Sequence, residues 1–285
     1  MRIGTRGSAL ALAQSRQVQA RLDSGEHELL VIETSGDRNP NVSLRRFGGK
    51  GIFTKEIEEA LLMGRIDLAV HSLKDLPTEA PPGLRIAAML PRADPRDAVV
   101  ARDRIPLDRL PRGAKIGTSS LRRQAQLLAR LEEGRFDAII VAAAGLSRLG
   151  LIDRATELLE DSVMLPAPGQ GVIAIQIRDD DDATAAAVAA LHDSMAEAEA
   201  TAERALLQAL GGGCLVPIGA RARVHKGLIE LSAFVGHPSG RPSLRRSLEG
   251  SSADPGAIGR ELAEVFLHEG ARAILDGVRS DEVFP

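Results

Sequence analysis

The sequence predicts an α/β protein of two similar lobes followed by a smaller α+β region. Three observations carry this. Short apolar runs alternate with amphipathic stretches, the pattern of a sheet layered with helices. Two pairs of segments echo each other in the same order: Ile3-Gly4-Thr5 with Ile116-Gly117-Thr118, and Gly64–Val70 with Gly134–Ile140. From Ala220 onward the texture changes to short alternating runs joined by turns such as His225-Lys226-Gly227 and Pro238-Ser239-Gly240.

In chain order, strands are expected at Arg2–Gly4, Glu28–Glu33, Asp67–His71, Arg85–Met89, Ala98–Ala101, Lys115–Gly117, Ala138–Ala142 and Val172–Gln176. Each is a short apolar run bounded by turn residues. Helices are expected at Ser8–Asp23, Thr54–Met63, Ser120–Glu132, from Ser147–Leu149 onward, and at Ala183–Asp193, Ala196–Leu210 and Ala257–Gly270. Ser8 and Ser120 are of the type that caps a helix. Antiparallel strands are expected at Ala220–Val224, Leu228–Val235 and Ser243–Leu248. Pro91–Pro95 and Leu165–Gly171 are rich in Pro or Gly and read as hinges between lobes. Gly4 and Gly64 lie 60 residues apart, but Gly117 and Gly134 only 17. The second lobe is therefore expected to lack an inner strand and one helix of the first.

Composition narrows the function. The chain has 285 residues, about two domains at roughly 150 residues each, with three small ones allowed. The formal charge of −3 argues against a nucleic-acid coat, and six Phe with no Trp or Tyr leave few stacking platforms. One cysteine, Cys214, excludes an intramolecular disulfide framework and a Cys-based zinc cluster. Two readings of that thiol stand: a small buried hydrophobe, or a reactive group made accessible by Gly211-Gly212-Gly213 before it. No apolar run approaches the roughly 20 residues that span a bilayer, and no signal-peptide pattern follows Met1. A soluble cytoplasmic protein without a metal site, membrane contact or nucleic-acid partner is expected.

Polar residues gather where strands end, the place where open α/β sheets bind ligands. Thr5-Arg6-Gly7-Ser8 follows the first strand, and Gly117-Thr118-Ser119-Ser120-Leu121-Arg122-Arg123 follows its echo. Cations in a helix's first turn are unfavourable, so Arg122 and Arg123 either point into water or face a bound anion. Lys74-Asp75 at the end of another strand is either an ordinary ion pair or part of the same site. Phe47-Gly48-Gly49-Lys50-Gly51 reads as a glycine-rich lid. Together these residues describe a cleft with Arg6, Lys50, Lys74, Arg122, Arg123 and Arg148 set against one carboxylate, Asp75. Its expected ligand is a polycarboxylate or phosphate, since Arg suits bidentate carboxylate recognition.

These segments resemble the porphobilinogen deaminase (hydroxymethylbilane synthase) family. The resemblance runs from Thr5-Arg6-Gly7-Ser8 through Gly48–Glu56, Ala69–Pro77, Asp94–Ala98, Ile116–Gln124, Ala143–Leu146 with Arg148, Pro168-Gly169-Gln170-Gly171 and Glu203-Arg204 to Gly212-Gly213-Cys214 with Val216–Gly219. It covers nearly the whole chain in family order. It implies two periplasmic-binding-protein-like lobes, residues 1–93 with 171–193 and residues 94–170, and a C-terminal α+β domain at 194–285. It implies a dipyrromethane cofactor joined to Cys214 by a thioether. It also implies head-to-tail condensation of four porphobilinogen molecules with loss of ammonia, then hydrolytic release of the linear tetrapyrrole, by a monomer. Asp75, Lys74 and Arg6 would be catalytic, with Asp75 binding pyrrole N–H groups and offsetting the cation formed as ammonia leaves. Cys214, Ser8, Lys50, Asp75, Thr118, Ser119, Ser120, Arg122, Arg123, Gly145 and Arg148 would hold the cofactor. Arg6, Ser8, Phe53, Arg148 and Gln170 would hold substrate.

One stretch departs from the family. Leu128-Ala129-Arg130 runs directly into Leu131-Glu132-Glu133, where the family carries a strand and an Arg-Gly-Asn-Val-x-Thr-Arg segment. The arginines of that segment would bind cofactor carboxylates. Leu215 stands where Gln is usual, and Ala125 where Cys is frequent. The departure raises an alternative, an inactive homologue or a module that binds a small anion.

Overall fold

The structure is a computed structural model and describes residues 1–23, 25–38, 53–118, 120, 135–212 and 216–280. Contacts divide the chain into two compact units. One comprises Met1–Ala93 with Gly171–Glu197, the other Asp94–Gln170 with Ala198–Pro285.

The first unit is built on a five-stranded sheet. Its strands are β1 (Arg2–Thr5), β2 (Glu28–Val31), β3 (Leu68–Ser72), β4 (Leu84–Met89) and β9 (Ile173–Arg178), in the order β2-β1-β3-β9-β4. β1 runs parallel to β2 and β3, and β9 is antiparallel to both β3 and β4. Side chains alternate across the sheet. Ile3, Leu68, Val70, Ile173, Ile175 and Ile177 pack on one face with Val18 of α1 (Ala9–Gln19) and Val188 of a later helix, Asp182–Val188. Ala69 faces the other way, beneath Ile57, Ala60 and Leu61 of α3 (Lys55–Leu62). Between these helices, Ser35–Arg38 forms a short turn of helix, α2.

The second unit holds two sheets. One is four-stranded in the order β6-β7-β5-β8, from β5 (Asp97–Ala101), β6 (Ala114–Gly117), β7 (Arg135–Ala142) and β8 (Glu157–Leu158), with α4 (Ala143–Arg148) following β7. The other is a three-stranded antiparallel meander, β10 (Ile218–His225), β11 (Leu228–Gly236) and β12 (Ser243–Ser251). After α5, the helix Asp182–Val188, come α6 (Ser194–Ala209), α7 (Pro255–His268) and α8 (Ala271–Ser280). The core of the meander joins Ala202 and Leu206 of α6, Leu262 and Phe266 of α7 and Ile274 of α8 to Leu231 and Ala233. The two longer helices cross at Gly259, where an added Cβ would lie 2.3 Å from the Ala202 carbonyl oxygen.

The echo in the sequence is a shared topology. β1, β3, β9 and β4 correspond to β6, β7, β5 and β8, with the same directions of pairing. Even the register agrees: Gly4 pairs with Ala69, and Gly117 with Ile139. This corrects one expectation. The strand without a counterpart is β2, which is not an inner strand but the edge of its sheet. Among the described residues, β6 is the edge of the second sheet, and no gap lies between its paired strands. Among the described residues, no helix covers the matching face of the second sheet, and this shows in exposure. Ala69 is fully buried under α3, while its equivalent Ile139 is 47% exposed.

Several boundaries also differ. α4 begins at Ala143 rather than near Ser147, because buried Ala143 and Ala144 outweigh the cost of Gly145 in the helix. Gly270, at φ +94, ends α7 as a glycine cap should, but the chain turns there into α8. β8 and α2 are too short for a periodic signal. The expected helix Ser120–Glu132 lies outside the described residues apart from Ser120.

The pair of equivalent positions offers a test. Ala69→Ile is expected to overpack the α3 contact and cost about 1–3 kcal/mol. Ile139→Thr is expected to change the unfolding free energy by less than about 0.5 kcal/mol. Urea unfolding curves of the two variants measure both.

Candidate functional site

The site in the first unit starts from parallel pairing. Thr5 pairs with Val31, and the Ile32 N–H donates to the Thr5 carbonyl at 2.8 Å. The segments leaving β1 and β2 therefore emerge side by side. β1 opens into Arg6, Gly7 and Ser8, and the Ser8 hydroxyl caps α1 by accepting from the Ala11 N–H at 3.3 Å. β2 leads through Thr34 to Asp37 on α2.

Arg6 meets Asp37 side-on. Nη2 donates to Oδ1 at 2.6 Å and Nε to Oδ2 at 3.2 Å. The Thr34 hydroxyl donates to the same Oδ2 at 2.7 Å, and the Thr34 N–H at 3.3 Å. Burial works against ionisation of Asp37, but the Arg6 and Thr34 hydrogen bonds hold its carboxyl below the usual range. The Phe53 ring lies under the guanidinium, 3.9 Å from its carbon to the ring centroid, a cation–π contact. α2 is tied to α3 as well, since Glu56 accepts from the Ser35 N–H at 2.9 Å, from the Ser35 hydroxyl and from Arg38.

The other wall comes from β3. Ser72 ends the strand and hydrogen-bonds the buried Gln14 carboxamide of α1 at 2.8 Å. The chain then makes one 3-10 turn, Leu73–Asp75. A cavity of about 50 Å³ lies here, lined by residues that include Arg6, Ser8, Phe53, His71, Ser72 and Asp75. Arg6, Ser8, Phe53 and Asp75 are thus gathered as the sequence suggested, whereas Lys74 is not in the lining.

His71 was not singled out by sequence reasoning. It is buried, and its pKa is depressed to about 4, chiefly by burial and further by the Arg6 charge, with Gln176 opposing. His71 Nε2 and Gln176 Oε1 are buried without a hydrogen-bond partner among the described residues. Asp37 was missed too. Thirty-one residues separate it from Arg6, and only the β1–β2 pairing brings them together.

In the second unit, the Thr118 hydroxyl accepts from the Ser120 N–H at 3.2 Å, a local turn at the end of β6. Gly145 lies within α4 and Arg148 in its last turn. Burial lowers the Arg148 guanidinium to about 10, which leaves it cationic at neutral pH. Gln170 is 1% exposed and donates both to the Pro95 carbonyl and to Asp97 Oδ1 at 2.7 Å. It braces the start of β5. The buried Glu203 carboxylate accepts from the Gly169 N–H at 2.7 Å and the Ala222 N–H at 2.8 Å. Lys50, Ser119, Arg122, Arg123 and Cys214 lie outside the described residues, as does the Phe47–Gly51 loop. No helix among the described residues is long and apolar enough to cross a membrane.

The family model described as "Porphobilinogen deaminase, dipyromethane cofactor binding domain" matches residues 1–132 and 128–186. "Porphobilinogen deaminase, C-terminal domain" matches 197–268. The first match comes in two pieces that meet at 128–132, where the chain departs from the family pattern. Relatives called porphobilinogen deaminase include those of Syntrophus aciditrophicus, 43% identical over 300 positions, and Trichlorobacter lovleyi, 44% over 306. The first covers 97% of this chain and 98% of that protein, the second 99% and 98%. The protein of Deinococcus radiodurans is 44% identical over 303 positions, covering 97% of this chain and 98% of its own length. These alignments are longer than the chain's 285 residues, so the relatives carry residues that this chain lacks.

His71 gives a pH test. Its folded pKa lies below the unfolded value of 6.5, so the unfolded state takes the proton first. Its contribution is fully present above pH 6.5 and is lost as pH falls toward 4. Over that window His71→Asn is expected to flatten the fall in stability by up to about 1.4 kcal/mol per pH unit. Urea unfolding across the pH series measures the slope, and an unchanged slope would rule out a buried neutral imidazole.

Proposed function

The chain belongs to the porphobilinogen deaminase family, and on that premise we propose which of its residues carry the reaction. That reaction is the head-to-tail condensation of four porphobilinogen molecules on a dipyrromethane primer, with release of ammonia and then of the linear tetrapyrrole, hydroxymethylbilane. The comparisons do not favour the inactive or small-anion-binding alternative. For residue roles, the observation that carries the reading is the joint presence of Arg6 and Asp75 in one cavity.

The residues present fit a dipyrromethane and a substrate of the same kind. Each pyrrole of that series bears carboxylate side chains and an N–H. Arg6 supplies donors for a carboxylate, and Asp75 supplies an acceptor for a pyrrole N–H. When bound, the dipyrromethane supplies the pyrrole carbon to which the first substrate is joined. Cys214 is assigned as its thioether anchor.

Asp75 is assigned two tasks. It offsets the positive charge that develops on the substrate as ammonia leaves, and it takes or returns a proton at its carboxylate oxygen. Lys74 is assigned to charge balance beside it, without a direct place in the cavity. Ser8 offers a hydroxyl at the start of α1, and Phe53 lies under Arg6. Thr118, Ser119, Ser120, Arg122, Arg123, Gly145, Arg148 and Lys50 are assigned to carboxylate and cofactor binding. Gln170 is reassigned from substrate contact to bracing the start of β5 through Pro95 and Asp97. Three domains are proposed: residues 1–93 with 171–193, 94–170, and 194–285. The protein is proposed to act in the cytoplasm as a monomer that binds no nucleic acid.

Intact mass and turnover test the assignments together. The purified protein should be heavier than its polypeptide by a two-pyrrole adduct, and Cys214→Ala should remove that excess. Asp75→Ala should retain the adduct and fold yet lose about 100-fold or more in kcat. Undiminished turnover would remove Asp75 from its role, and a bare polypeptide mass would remove Cys214 from its own.

A further inference from the structure

We propose that Asp37 is a positioning residue that sets the Arg6 guanidinium to receive a porphobilinogen carboxylate through its Nη1 edge. The inference rests on the assignment of Arg6 to carboxylate binding.

A guanidinium carries five N–H donors in a rigid plane. Asp37 engages the Nε and Nη2 side, at 3.2 and 2.6 Å. Phe53 covers one face. Both rotation about the side chain and tilting of the plane are therefore restrained. Asp37 is itself held, by two donors from the fully buried Thr34 on one oxygen. Its helix is anchored to α3 through Ser35, Arg38 and Glu56. The remaining donors lie along the Nη1–Nη2 edge, and Nη1 has no partner among the described residues. That edge is the one left for a bidentate contact with a second carboxylate. Arg6 also lines the cavity that holds Asp75.

The arrangement separates two effects of removing Asp37. Lost positioning weakens substrate binding, because a flexible arginine must be ordered each time a carboxylate arrives. Lost negative charge acts in the opposite direction, leaving Arg6 more attractive to anions. Solvent still screens a pair whose side chains are each 22% exposed, whereas misplacement of a binding group by about 1 Å costs on the order of 100-fold. Positioning is therefore the larger effect.

Steady-state kinetics of the holoenzyme with porphobilinogen tests this, with intact mass confirming that every variant carries its adduct. Asp37→Asn is expected to raise KM about tenfold or more with little change in kcat. Thr34→Val, which loosens Asp37 without removing charge, should raise KM in the same direction by less. In an Arg6→Lys background, where the side-on pair cannot form, Asp37→Asn should add little further loss. An unchanged or lowered KM for Asp37→Asn would overturn the proposal. So would losses that simply add in the double variant. If Arg6→Lys alone leaves kcat/KM unchanged, the assignment of Arg6 itself fails. Should Asp37→Asn not fold, Thr34→Val decides, and a wild-type KM in that variant would overturn the positioning role.

Discussion

The first sheet depends on a strand that arrives late. β9 lies between β3 and β4 and is antiparallel to both, yet the segment Asp94–Gln170 of the other unit separates it from β4. Without it β4 has no partner and Ile173, Ile175 and Ile177 leave the core. β5 plays the same part in the second sheet, between β7 and β8. Each mixed sheet is therefore completed by a strand that runs against its neighbours. The return point is Gly171, at φ +92, where an added Cβ would lie 2.4 Å from the Ala93 carbonyl oxygen. Only glycine fits such a backbone position at so close an approach.

On that frame the chemistry sits at strand ends, and the reason is geometric. Parallel neighbours release their chains on the same side of the sheet. β1 and β2 deliver Arg6 and Asp37 there, and β3 delivers His71, Ser72 and Asp75. The site mixes directional donors with a neutral imidazole pressed close to a cation. Burial keeps that imidazole from adding a second positive charge beside Arg6.

Much of this was legible in the sequence, in unequal measure. The echoed Ile-Gly-Thr segments led to the correct β1/β6 equivalence, because strand ends and cap residues are local signals. Asp75 and Arg6 stood out because charged residues at the ends of apolar runs have few structural duties. Asp37 and His71 did not. The former acts through an ion pair fixed by strand pairing, the latter by being buried beside it, and neither is a local property. Gln170 was named through the family resemblance alone, and nothing local in the sequence signals that its carboxamide N–H groups donate to Pro95 and Asp97. The inner-strand expectation failed because spacing counts missing residues without saying where in a sheet they would have lain.

That last point reaches beyond the fold. Because β6 is the edge strand among the described residues, the link from Gly117 to Arg135 joins the sheet at its border. Residues gained or lost there shift no ladder farther in, so β7, β5 and β8 keep their registers. A family that shares one catalytic core can therefore differ in length at this border, and a graft inserted there would leave the interior of the sheet unaltered.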